Sequence, residues 1–313
     1  MTVEHNQYVP ILKWRMGEYQ ALMRLKKIQK DNIVPLLMVP PVEYDFEEMR
    51  PKKTVQEHIE TFGDRLKLKW NKRPAFIDLH ESLESESMDN GESILTYIFS
   101  EIKEKKCHGI PVVNFSRTDE YINDLKLITS EMQTGVMIRI GLTDLMTPVL
   151  NSNIAKIKSS LNLDNSQIDL LIDIAEPDSF EPYSVFANAL SMKIKSIVGL
   201  CEFRSFIISG MSLKLSEIKK PGGELPRHEW HLYKELVSKL QSTRTPTYSD
   251  YTIETPQFVS MDMRMMKPAG KIVYAREDFW YVVKGTSFRG NEVQMYDHCS
   301  TIIHSGHFCG TSY

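Results

Sequence analysis

The chain has 313 residues (36.2 kDa), 42% hydrophobic and 25% charged, a balance that excludes a mostly disordered protein and suits one large α/β barrel or two ordinary domains. A formal net charge of −3 excludes a generally basic nucleic-acid binder, although residues 263–289 gather Arg264, Lys267, Lys271, Arg276, Lys284 and Arg289 against only Glu277 and Asp278. No apolar run reaches the about 20 residues of a membrane-spanning helix, "MTVEHNQYVP" lacks the basic start and apolar middle of a signal peptide, and four scattered cysteines do not form a disulfide framework, so a cytoplasmic protein with reduced thiols and no membrane partner is expected.

Short apolar runs alternate with amphipathic segments along the chain. "YVPIL" (8–12) precedes "GEYQALMRLKKIQ", whose Ala21, Leu22, Leu25 and Ile28 recur at helical spacing. "IVPLLMV" (33–39) is followed, after a proline-rich loop, by "TVQEHIETFGDRLKLKW", which opens on a threonine suited to capping. "AFIDL" (75–79) leads to "GESILTYIFSEIKEKK", and "GIPVVNF" (109–115) to the Thr-initiated "TDEYINDLKLITSEM". "GVMIRI" (135–140), "IDLLIDI" (168–174) and "RSFIISG" (204–210) each precede a further helical pattern, and "TYSDYTI" (247–253) is the eighth run.

Apolar runs that do not alternate with polar residues predict strands covered on both faces, as in a parallel sheet wrapped by helices. Eight of them predict a closed (β/α)8 TIM-like barrel over residues 1–255 rather than a doubly wound sheet, and the first turn carries no G-x-G-x-x-G fingerprint. An eighth helix is not evident. Residues 256–313 read as an appendage packed on the barrel, with a hairpin, "KIVYA-REDF-WYVVKG" (271–285), and a short helical segment, "VQMYDHCSTIIH". So few residues would be marginal alone.

"AFIDLHE" (75–81) and "LLIDIAE" (170–176) echo one another, each placing an aspartate near the end of a strand. An ionisable residue in mid-barrel costs several kcal/mol without a partner, whereas the carboxyl ends of the strands line the mouth where barrel enzymes work. Period-two reading gathers Lys13, Arg15, Asp78, His80, Asn114, Ser116, Arg139, Asp173 and Asp250 at one rim. Three outcomes are open. The charges can form a purely structural network with Lys13 or Arg139 neutralising the acids. Asp78 and Asp173 can hold a divalent cation such as Mg²⁺ while Lys13, Arg15 and Arg139 receive phosphate oxygens, which suits phosphodiester or nucleotide hydrolysis. Or the basic groups bind an anionic ligand without turnover. Glu81 and Glu176 face away and read as solvated or capping residues.

Beyond strand 7, Arg227 is placed to project into the mouth, and "SGMSLKL" and "KKPGGELP" supply glycine and serine for a lid or an anion-binding turn. Trp230, Tyr233 and Leu236 share a helical face and read as core packing. The tail's His298, Cys299, His304, His307 and Cys309 are potential zinc ligands, but their spacing fits no standard zinc site. "DFWY" (278–281) could stack on nucleobases, with burial of the hairpin face the simpler explanation.

Several stretches, "PILKWRMGEYQAL" (10–22), "PLLMVPPVEYDFE" (35–47), "KRPAFIDL" (72–79), "PRHEWHLYKEL" (226–236), "YSDYTIETPQF" (248–258) and "KPAGKIVYAREDFWYVVKG" (267–285), resemble the Beta protein family of bacteria, phages and phage satellites. The resemblance implies an anti-phage defence role as partner or regulator of a toxic effector protein from the same cassette; with the charged barrel mouth, the expected mode of action is recognition of a protein, nucleotide or nucleic-acid signal. The resemblance supplies no catalytic residues. Related chains continue past the position of "GTSY" with a tryptophan- and glycine-containing segment, which puts in doubt for this chain any function housed there.

Overall fold

Each expected apolar run forms a strand, and the strands close on themselves. A computed structural model describes residues 2–259, 262 and 265–310, so Arg264 of the basic run lies outside the described residues. The barrel strands are β1 (Tyr8–Lys13), β2 (Leu36–Val39), β3 (Pro74–Leu79), β4 (His108–Val113), β5 (Val136–Gly141), β6 (Ile168–Asp173), β7 (Ser205–Gly210) and β8 (Thr247–Asp250). All neighbours are parallel, and β8 returns to β1 through Tyr8–Tyr248, Val9–Ser249 and Pro10–Asp250. β2 starts at Leu36 rather than Ile33 because Pro35 has no N–H to give the ladder; only an isolated bridge joins Tyr8 to Ile33.

The continuous hydrophobicity of the strands follows from two separate cores. Val9, Ile11, Leu36, Met38, Phe76, Ile110, Val112, Met137, Leu171 and Ile207 fill the barrel interior. Their neighbours of opposite parity, including Leu12, Leu37, Ile77, Ile138 and Leu170, pack outward against helix residues such as Leu66, Phe99, Leu125 and Leu236. The helices start where their caps predict: Thr54 accepts from the Glu57 amide (3.1 Å) while the Glu57 carboxylate accepts from Thr54 (2.8 Å), and Thr118 accepts from the Tyr121 amide (3.2 Å).

Each of the first seven strands is followed by at least one helix, but among the described residues none follows β8 until Gln294–Ile303, which packs on the appendage. The expected hairpin forms from Ala269–Ala275 and Phe279–Ser287, and it acquires a third strand that the sequence did not suggest. Gly222–Pro226, read from sequence as part of a lid or anion-binding turn, pairs antiparallel with Phe279–Val283 and fastens the β7 connection to the appendage. Trp280 and Val282 join Tyr251, Met211 and Leu213 in the interior cluster, so the aromatic run 278–281 packs rather than projecting freely.

Gly222 makes that junction possible. Its φ is +117°, and a Cβ there would lie 1.9 Å from the Val282 carbonyl oxygen. Gly222→Ala is therefore expected to cost about 1–3 kcal/mol, read as a lower Tm and faster proteolysis within 269–287; an unchanged Tm would show that the third strand adds nothing.

Candidate functional site

The echoing aspartates meet across one guanidinium. Asp78 on β3 and Asp173 on β6 point inward and are 5% and 4% exposed. Arg139 on β5 donates from Nη1 to Asp78 (2.5 Å) and from Nε and Nη2 to Asp173 (2.9 and 2.6 Å). Tyr251 completes the cluster, its hydroxyl 2.5 Å from Asp173 and 2.6 Å from Arg139. Burial works against the charge on Arg139, but Tyr251, Asp173 and Asp78 outweigh it and hold the guanidinium proton firmly. On the other side of Asp78, Arg117 donates to it (3.0 Å) and to Glu84 (3.0 Å), with its guanidinium 4.5 Å from the Tyr121 ring.

Arg117, Glu84 and Tyr251 were not singled out in the sequence. Arg117 sits just before the Thr118 cap, where a loop arginine has no periodicity to mark it. Tyr251 lay in the eighth apolar run, but aromatic residues there read as strand formers. Asp169 was also missed: it points inward four residues before Asp173, at the opposite end of the barrel, and is held by Arg204 (3.1 and 2.5 Å).

Lys13 and Arg15 occupy the same rim but belong to a second group. The loop after β8 crosses here: Lys13 Nζ donates to the Gln257 carbonyl (2.7 Å) and lies 3.4 Å from Glu254, while Phe258 packs against Lys13, Arg15 and His80 (4.8, 5.5 and 5.0 Å). Asn114 continues the inward parity of β4, and its side-chain carbonyl accepts from the Ser116 amide (3.0 Å), which shapes the loop.

Arg227 and Asp250 are not at the mouth. Val9 faces the interior and is registered with Ser249, so Tyr248 and Asp250 face outward on β8. The period-two reading carried the strand past 250 and assigned the wrong parity. Asp250 accepts from the Tyr8 and Tyr248 hydroxyls and lies 3.4 Å from Arg227, whose guanidinium is surrounded by Trp230, Tyr248 and Trp280. Asp250 is only 2% exposed, and its charge is tolerated there because Arg227, the two tyrosine hydroxyls and the Thr252 amide complement it.

The residues proposed for Mg²⁺ do not suit it. A hard cation needs free carboxylate oxygens, and here a guanidinium lies between the two acids, bonded to both. The tail's histidines and cysteines do not converge: no group of three His, Cys, Asp or Glu side chains among the described residues is placed to hold a metal. His307 instead packs on Tyr281 (4.3 Å), and the Cys309 sulfur meets Arg276.

A basic pocket opens beside the mouth, between the loops after β1 and β2. Its volume is about 230 Å³, and Arg15, Lys52, Lys53, His58 and Arg65 line it together with Trp14 and Tyr19. The single acid in its wall, Glu43, pairs with Lys52 at 2.9 Å. Arg15, Lys53 and Arg65 form no ion pair with a carboxylate among the described residues; Arg65 lies over Tyr19 at 5.2 Å. His58 is held neutral, since burial lowers its pKa despite its contact with the Pro40 carbonyl (2.8 Å).

Glu18, in the first turn of helix Met16–Arg24, flanks this rim. Burial, and then Glu254, push its pKa up to about 8 against the pull of Lys13 and Arg15. Folded Glu18 keeps a proton that the unfolded chain releases near 4.5, so stability is greatest below that pH and falls as pH rises through about 8. Glu18→Gln should remove that loss and raise stability at about pH 9 by ~1–3 kcal/mol, discounted for partial exposure. Parallel pH–stability profiles for the two proteins would refute the assignment.

A search of curated proteins finds no match. Among solved structures, the chain is similar to a mutant tryptophan synthase alpha-subunit from the hyperthermophile Pyrococcus furiosus, with 8% identity and a TM-score of 0.43 over 80% of this chain and 89% of that one. The family model described as Beta protein matches residues 8–313. With nearly its whole length covered, the chain belongs to the Beta protein family.

Proposed function

We infer that the chain is a recognition protein that reads a phosphate-bearing anion in the pocket of Arg15, Lys53 and Arg65. The observation that carries this reading is the convergence of three cations without carboxylate partners on one small cavity whose only acid is already paired. Phosphate oxygens are the natural complement of such a set, because guanidinium forks and ammonium groups donate charge-assisted hydrogen bonds to them. The two aromatic walls, Trp14 and Tyr19, favour a ligand that also presents an apolar or planar part.

Metal-assisted hydrolysis of a phosphodiester or nucleotide is the poorer reading. It would need Asp78 and Asp173 as metal ligands or general bases, and both are engaged by Arg139. The defence role follows from the family resemblance: the bound anion would be the trigger by which this protein restrains or releases a toxic effector in the cytoplasm. The four cysteines, none of them paired, suit that compartment.

Titration calorimetry with pyrophosphate provides the test. Saturable binding that weakens with added salt is expected, and Lys53→Ala combined with Arg65→Ala should reduce affinity about tenfold or more. The same double variant at unchanged abundance is expected to abolish phage protection in cells. Absence of binding, or conversion of pyrophosphate to phosphate with Mg²⁺, would overturn the reading.

A further inference from the structure

Among the described residues, no helix after β8 covers the outer face of β8 and β1. Its outward-facing positions are filled by Tyr8 and Tyr248, half-buried register partners whose rings stack 5.9 Å apart at 19°. Helix His228–Leu240 brings Trp230 and Tyr233, themselves stacked at 5.4 Å and 18°, and Trp230 meets Tyr248 edge-on at 4.9 Å. The appendage contributes Trp280, Val273 and Ala275 from the opposite side. These walls do not close. They leave a cavity of about 640 Å³, within the ~300–1,000 Å³ range of small-molecule sites.

The carboxylate and the guanidinium in the cavity wall, Asp250 and Arg227, are fully used. Arg227 donates from Nε to Glu229 (3.3 Å), from Nη1 to the carbonyls of Arg276 and Glu277 (2.9 and 3.4 Å), and from Nη2 to Tyr248 and Asp250 (3.0 and 3.4 Å). Asp250 also accepts from both tyrosine hydroxyls and from the Thr252 amide (2.9 Å). Neither group has charge left for an ionic ligand, and the guanidinium already occupies the place an organic cation would take among the rings. What the cavity offers is the ring surface that Tyr8, Trp230, Tyr233 and Tyr248 leave partly exposed after packing on one another, ordered by that polar cluster, with Asn6 and Thr252 at its edge.

We propose that this cavity binds an uncharged planar heteroaromatic ring of the nucleobase class, stacked on the Trp230 and Tyr248 side of the pocket. Stacking on aromatic side chains is the interaction such walls provide, and it tolerates any base because every base has a π face. The site is separate from the basic pocket beside the mouth, and it stands or falls independently of the anion reading.

Two of the four tryptophans, Trp230 and Trp280, line the cavity, so intrinsic fluorescence reports on it. Titration of the full chain with adenosine is expected to quench tryptophan emission saturably, with a dissociation constant unchanged between about 0.05 and 0.5 M salt. Trp230→Leu should weaken adenosine about tenfold or more with far-UV circular dichroism and Tm retained. Tyr233→Leu is the second variant should the first not fold, with the same expectation. The proposal is overturned if adenosine, guanosine, cytidine and uridine all fail to give a saturable response. It is also overturned if choline binds in their place, or if folded variants at both positions bind adenosine as tightly as the parent.

Discussion

A single guanidinium between two buried carboxylates governs the top of this barrel. Asp78 and Asp173 come from β3 and β6, and neither could stay there as an isolated charge in an interior built mostly of Val, Ile, Leu, Met and Phe with a few buried serines and threonines. Arg139 reaches both, Tyr251 joins it on the same oxygen of Asp173, and the remaining oxygens accept from Arg117 at Asp78 and from the Ala175 amide at Asp173. The arrangement ties β3, β5 and β6 to the loop after β8 at the rim. Asp169 and Arg204 repeat the device at the other end, so the barrel is closed by an acid–arginine pair at each mouth.

That neutralisation moves the search for function outward. Groups that already complement one another have little left for a ligand, whereas Arg15, Lys53 and Arg65 form no ion pair among the described residues. Among the described residues no helix follows β8 to cover the barrel, which has a comparable consequence on the flank. The antiparallel sheet, whose third strand comes from the β7 connection, brings Val273, Ala275 and Trp280 to that flank and leaves a cavity between them and Tyr8 and Tyr248. Tyrosines and an aspartate on the outer face of β8 and β1 belong to that irregularity.

Much of the barrel was legible because its signal is local. Unbroken runs such as "IVPLLMV" report burial on both faces, and the Thr54 and Thr118 caps report where helices begin. The convergence of Asp78, Arg139 and Asp173 was legible for the same reason, since each sits at a known phase of a well-bounded strand. Asp250 was misplaced because β8 is only four residues long, too short for its parity to be read from apolar neighbours. Arg227 was misplaced because its partners, the carbonyls of Arg276 and Glu277, lie about fifty residues away on a hairpin whose docking no local pattern encodes. Lys53 and Arg65 escaped notice because a charge in a loop or on a helix surface usually marks a solvated face, and only the folded chain shows that they share a wall.

The most direct test of the Arg139 clamp is urea unfolding of two variants side by side. Arg139→Met alone strands two buried carboxylates and is predicted to lose about 3–5 kcal/mol, whereas Arg139→Met with Asp78→Asn and Asp173→Asn removes the charges together and should recover most of that loss. Pyrophosphate binding should be intact in the triple variant. Tolerance of the single change, an equal loss in the triple variant, or loss of anion binding by a folded triple variant would contradict the account.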